Sequence, residues 1–254
     1  FPNSKFSETN FSNSDLTNVD LSFSDLLGAN FTNAKLSNIN FTGSNLSGVI
    51  FTGAYIENVS FSNSTIYGTK FVGTYLEKTI FDNSQINSAL FLGSKINDSS
   101  FNDVLIENTD FSGSIITDVD LSNQNFSNNL FQNTMLNSAN LSNSDFSNAD
   151  FSYAYLNSAN LSNSTFIDVN FFMTDFGSAN LSNANLIGAN LLKSYFKNTI
   201  LDEVLIDSTT LTDSCFENDI INKIQCTLMR YTLPGMPPYE TTYEKRDNYK
   251  INYP

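Results

Sequence analysis

Residues 138–151 read SANLSNSDFSNADF, and in this stretch Leu141, Phe146 and Phe151 stand five apart with only Asn, Ser, Asp and Ala between them. An amphipathic helix places apolar residues at spacings of three and four, and a half-buried strand at every second residue. A spacing of five fits neither. Stepping by five from Phe1 to Phe216 meets Phe, Leu or Ile at all 44 positions (21, 16 and 7 of each). Of the 23 Phe residues, only Phe23 and Phe172 lie off this register. Two residues before each large residue stands a small one: Ala, Ser, Thr or Val at 40 of 43 positions from Ser4 to Ser214, the exceptions being Ile39, Gln124 and Asn129. No insertion interrupts the pattern.

The repeat is therefore small, Asn or Asp, large, x, x, and ANLSN recurs at 139–143, 159–163 and 179–183. This pattern resembles the pentapeptide-repeat family. The resemblance implies an all-β fold: a right-handed four-sided parallel β-helix in which each side is one pentapeptide and each coil is four. Stacking order supports four sides independently. From Phe31 to Ile116 the large residue alternates between Phe and Leu or Ile, a period of ten; from Leu121 to Leu156 it runs Leu, Phe, Phe, Leu twice, a period of twenty. Both suit a twenty-residue coil in which like stacks on like. Such stacking buries a face that one repeat could not bury alone. Residues 1–218 then form about 11 coils, a rod roughly 50 Å long at ~4.8 Å per coil.

Beyond the repeat, two further segments are distinguished. In 219–232, Ile220, Ile221, Ile224 and Leu228 have helical spacing and Asp219 is placed to cap the N-terminus, so a short helix is expected to close the last coil. After LPGMPP, residues 233–254 form an extended Pro- and Tyr-rich tail with Tyr239, Tyr243, Arg246, Tyr249 and Tyr253 as candidate interaction residues. Charge is uneven. The chain totals −14; residues 222–254 carry five Lys or Arg against three Asp or Glu, so residues 1–221 carry −16 and residues 222–254 carry +2. A solvated acidic surface is one reading of the rod, and attraction between one molecule's tail and another's rod is the second.

Cys215 and Cys226 lie within twelve residues of each other. Two readings are open: a disulfide clipping the end segment to the rod, or two free thiols in a reducing compartment. The closeness of the only two cysteines favours the disulfide, and with it an extracytoplasmic location, extracellular or in an organelle lumen. The chain begins within the repeat register without Met, as a processed chain or a fragment would. Twelve Asn-x-Ser/Thr triplets occur, which the repeat itself spells; among them Asn40, Asn140, Asn160 and Asn180 fall on one side of the rod and are the candidate N-glycosylation acceptors. Gln124 and Asn129 occupy small inward positions on adjacent sides of one coil, where the stacking order changes. They are expected either to hydrogen-bond turn backbone within the column or to mark a local bulge or bend, with two solenoid halves joined there.

The residues point away from catalysis. There is no His, the cysteines lack zinc-site spacing, no phosphate loop is visible, and no serine has an evident activating base. No cofactor or metal is expected, and no membrane span. The reading is a non-enzymatic structural or interaction protein, a rigid acidic rod assembling with itself through coil ends and tail, possible as a filament subunit. Two alternatives come from the resemblance. One is an accessory subunit of a larger complex such as a thylakoid-lumen assembly, whose members resemble this chain in a disulfide near a C-terminal helical cap. The other is a DNA mimic binding type II topoisomerase. B-DNA carries one charge per ~1.7 Å, so a ~50 Å mimic needs roughly 30 charges, against the −16 of the repeats. Contact with nucleic acid itself is not expected.

Overall fold

The computed structural model describes residues 1–206. These residues form an all-β parallel solenoid, and no helix occurs among them. Eight strands of three residues run in chain order: β1 Asp15–Thr17, β2 Lys35–Ser37, β3 Tyr55–Glu57, β4 Thr65–Tyr67, β5 Tyr75–Glu77, β6 Gln85–Asn87, β7 Lys95–Asn97 and β8 Leu105–Glu107. One sheet has the order β1-β2-β3-β5-β7 and the other β4-β6-β8. Every pairing is parallel and joins residues twenty apart, as in Leu36↔Ile56 and Ile86↔Ile106. Single bridges carry the same offset along the rod, from Lys5↔Asp25 to Asn185↔Leu205. A coil is thus four pentapeptides.

Many corners are turns closed by the amide of the small residue donating to the carbonyl of the preceding large one, as in Ala29 to Leu26 at 2.9 Å and Ala159 to Leu156 at 3.0 Å. The second residue after each large one takes a positive φ at every repeat from Asn3 to Glu203. Asn, Gly, Ser and Asp predominate there because they tolerate that region. Where Asn or Asp stands before a large residue, it steadies the corner from outside. Its side-chain oxygen accepts from the amide two residues on, as in Ser22 to Asp20 at 3.0 Å and Thr32 to Asn30 at 2.9 Å. The five-residue spacing therefore arises from a turn, a bridge residue and two inward side chains, repeated.

The large residues fill one column. From Leu21 to Ile206 each is buried, none more than 6% exposed. Phe rings twenty residues apart stack nearly parallel, as Phe41 and Phe61 do at 5.3 Å and 5°. Rings on neighbouring sides meet edge-on, as Phe31 and Phe41 do at 5.9 Å and 83°. Stacked and edge-on geometries are the favoured ones for aromatic pairs. In the first coil Phe6, Phe11, Leu16 and Val19 are only partly buried against this column.

The ladder has one gap. No bridge joins Ser100 to Asp120 or Leu105 to Asn125, although bridges of the same offset run before and after on both sides. Gln124 and Asn129 sit in this coil. Asn129 is fully buried and makes the backbone hydrogen bonds expected of it, donating to Ser127 O at 3.2 Å and Ile106 O at 3.4 Å. Gln124 is half-buried and turns back to Ser122 O at 3.1 Å. The first sequence reading holds here, since both polar side chains are bonded to backbone, and beside them the ladder is locally open.

Candidate functional site

The outward positions of the coil decide what the rod offers. Two faces are closed by polar ladders. On one, Asn140 donates to Asp120 at 2.9 Å, Asn160 to Asn140 at 3.1 Å and Asn180 to Asn160 at 3.5 Å. Asn40 donates to Asp20 at 3.1 Å on the same side. The oxygens of Asn40, Asn140, Asn160 and Asn180 meanwhile accept from Thr42, Ser142, Ser162 and Ser182 amides. The four acceptor candidates are therefore half-buried rungs whose amide nitrogens already bond to the coil below. A sugar on any of them would project from the stack between neighbours one strand spacing away.

A third face is different in kind. Positions 35, 55, 75, 95, 115 and 135 place Lys35, Tyr55, Tyr75, Lys95, Ile115 and Met135 in a line on one flank. Tyr55 and Tyr75 stack at 4.9 Å and 4°, and the Lys95 ammonium lies 5.4 Å from the Tyr75 ring centre. Beside them run Glu57 and Glu77 in register. The Tyr75 hydroxyl donates to Glu77, and Asn97 donates to the Tyr75 oxygen at 3.3 Å. The bond to Glu77 holds the Tyr75 hydroxyl above its ordinary range, with desolvation adding to it, and the same bond holds the Glu77 carboxyl below its own. Desolvation first, then the Glu57 and Glu77 charges, raises Tyr55. This stripe offers aromatic area flanked by both signs of charge, a composition suited to protein contact. It was not singled out from the sequence. Its signal was there at a period of twenty, once the coil length was known.

On the opposite flank, two corners away, Thr65, Tyr67, Gln85, Asn87, Leu105 and Glu107 line a shallow depression of about 220 Å³. Tyr67 and Leu105 are among the most exposed large apolar residues of the rod. Among the described residues no group of three or more His, Cys, Asp or Glu converges to hold a metal ion, and no helix is long and apolar enough to cross a membrane. Cys215, Cys226, the 219–232 helix and the tail residues Tyr239, Tyr243, Arg246, Tyr249 and Tyr253 lie outside the described residues.

Solved structures that resemble the chain are themselves pentapeptide repeat proteins. HetL, involved in heterocyst differentiation regulation in the cyanobacterium Nostoc sp. strain PCC 7120, is 23% identical, with 84% of this chain and 87% of HetL covered and a TM-score of 0.35. QnrB1, a plasmid-mediated fluoroquinolone resistance protein, is 18% identical over 81% of this chain and 92% of its own, with a TM-score of 0.40. A protein of the Arabidopsis thaliana thylakoid lumen is 26% identical over 44% of this chain and 71% of its own, with a TM-score of 0.32. Curated proteins give no match. Two family models match directly: the pentapeptide repeat region over residues 1–71, and the eight-copy pentapeptide repeats over 106–143, 144–183 and 174–218. The matched segments span most of the repeat register, and the chain belongs to the pentapeptide repeat family.

Proposed function

We propose that the chain is a non-enzymatic interaction rod: right-handed, of about 11 coils, closed by a helix at 219–232, and assembling with other copies through its coil ends and the 233–254 tail as a filament subunit. The observation that carries this reading is the column itself. From Leu21 to Ile206 it is filled without interruption by side chains of one size class, so the coils pack on a continuous core and offer flat faces rather than a reaction pocket. Opposite charge supports contact between the rod and the end segment 222–254, since −16 resides in 1–221 and +2 in 222–254; the tail of 233–254 is itself neutral. Tyr in the tail supplies broad contact area at low entropy cost. Head-to-tail stacking of identical units does not close on itself and yields filaments. A disulfide between Cys215 and Cys226 belongs to this reading and would place the chain in an extracytoplasmic compartment.

A second reading is supported by the stripe of Tyr55, Tyr75 and Lys95, which would suit a different protein: the chain would then be an accessory subunit of a larger complex. Mimicry of DNA toward a type II topoisomerase is the weaker alternative, because the repeats carry about half the charge that the mimicry needs. Electron microscopy of the purified chain tests the preferred reading. Filaments with a subunit repeat near the rod length are expected; single rods at all concentrations would point to the subunit reading.

A further inference from the structure

The gap in the ladder has a definite geometry. Two of the four sides remain closed across it, through Leu90↔Asp110↔Leu130 and Lys95↔Ile115↔Met135. The other two are open. The amides of Phe101, Asp103, Ile106 and Asn108 make no bond to the next coil, whereas Phe81 and Asn83, one coil earlier, bond to Ser100 O at 2.8 Å and Asn102 O at 2.9 Å. Asp120 and Asn125 amides likewise make no bond back, whereas Asn140 and Asp145 bond to Val119 O and Gln124 O, both at 3.0 Å. Between these edges lies a crevice of about 180 Å³, with Leu105, Ile106 and Asn108 on one lip and Asn125, Ser127 and Asn128 on the other.

The inward side chains explain why the opening is here. At several positions elsewhere a buried Ser or Thr hydroxyl ties its coil to the one before by donating to the carbonyl twenty-three residues back. Ser44 does so to Leu21 O at 2.7 Å, Ser164 to Leu141 O at 2.7 Å and Thr174 to Phe151 O at 2.7 Å. Asn129 makes the equivalent reach to Ile106 O, but with a nitrogen one bond farther from its backbone and at 3.4 Å. Its oxygen also takes the Thr109 amide at 2.7 Å. Gln124 is longer still. It makes no such tie to Phe101 O, and its side-chain amide bonds within its own coil instead. After the first coil, Gln124 is the one residue at a small inward position, among the described residues, that is not buried.

We propose that the boundary between residues 98–108 and 118–128 is a built-in hinge, wedged open by Gln124 and Asn129. The two closed ladders form the joint and the two open ones the mouth. The rod is then two stiff segments that bend relative to each other about one flank, rather than a single rigid bar.

Hydrogen exchange on the intact chain tests this. Amides of Phe101, Asp103, Ile106, Asn108, Asp120 and Asn125 are expected to exchange at least about a hundredfold faster than their counterparts Phe81, Asn83, Asn140 and Asp145, which are bonded in a closed ladder. Equal protection within about threefold overturns the open mouth. The wedge is tested by Gln124→Ser combined with Asn129→Thr, which should restore protection at those amides; continued fast exchange in a folded double variant overturns the wedge. Bending is read from spin labels at Asn33→Cys and Lys193→Cys, two exposed corner positions, in a Cys215→Ser, Cys226→Ser background. The distance distribution should be broad with native Gln124 and Asn129 and should narrow in the double variant. A distribution equally narrow in both overturns the hinge.

Discussion

The Ser64 hydroxyl donates to the carbonyl oxygen of Phe41 at 2.7 Å, while Ser84, stacked one coil beyond it, has its hydroxyl buried with no partner. The same residue type at equivalent places thus has opposite energetic roles. A buried hydrogen bond contributes about 1 kcal/mol net, and an unpartnered buried hydroxyl costs stability. Ser64→Ala is expected to destabilise by about 1 kcal/mol, whereas Ser84→Ala should be neutral or stabilising. Denaturant midpoints of the two variants measure this directly; equal losses would mean that the interior hydroxyls do not tie the coils together.

The corners make a second comparison. Gly73 has a φ of 60°, and a Cβ there would meet nothing within 4 Å. Any cost of a side chain is therefore conformational. Gly73→Val should lose about 1–2 kcal/mol, the penalty of a left-handed backbone for a β-branched residue. Asn63 has a φ of 57°, so Asn63→Gly relieves the same strain and should change stability by less than about 1 kcal/mol. Thermal melts distinguish the two, and a harmless Val at position 73 would contradict the turn geometry.

Acid should loosen the first coils. The Asp20 carboxyl lies below its ordinary value of 3.8, held there first by the Ser22 side chain, then by the Ser22 amide, with a smaller part from Asn40. Asp25 is lowered chiefly by the Leu27 amide and then by Ser7. A depressed carboxylate contributes its stability in full above its unfolded pKa and loses it as pH falls through the folded value. Stability should therefore decline below about pH 4, and Asp20→Asn with Asp25→Asn should flatten that decline. The readout is the denaturant midpoint between about pH 5 and pH 2. An unchanged acid limb in the double variant would remove these turns from the account.

How much of this was legible in advance depended on which residues are constrained to one type. Large and small inward positions were readable because the column admits a single size at each, so the register from Phe1 to Phe216 could not drift. The left-handed position, two residues after each large one, was not read, because its requirement is conformational and is met by Asn, Gly, Ser, Lys78, Tyr153 and even Phe23, which share no polarity or size. Gln124 and Asn129 stood out as misfits, yet nothing local told which ladders they open. That depends on what stacks twenty residues away. The Tyr55–Tyr75 stripe was hidden for the same reason, being contiguous only in the coil. The helix, the cysteines and the tail remain proposals resting on spacing and charge.

The most direct test of the account is sedimentation velocity of the full chain beside a variant lacking residues 233–254. If the tail joins rods, the full chain should sediment as species larger than one rod, increasing with concentration and dispersed by salt. The truncated chain should sediment as a single rod with its β-rich circular dichroism unchanged. Normal assembly of the truncated chain would contradict the proposal that the tail links neighbouring rods.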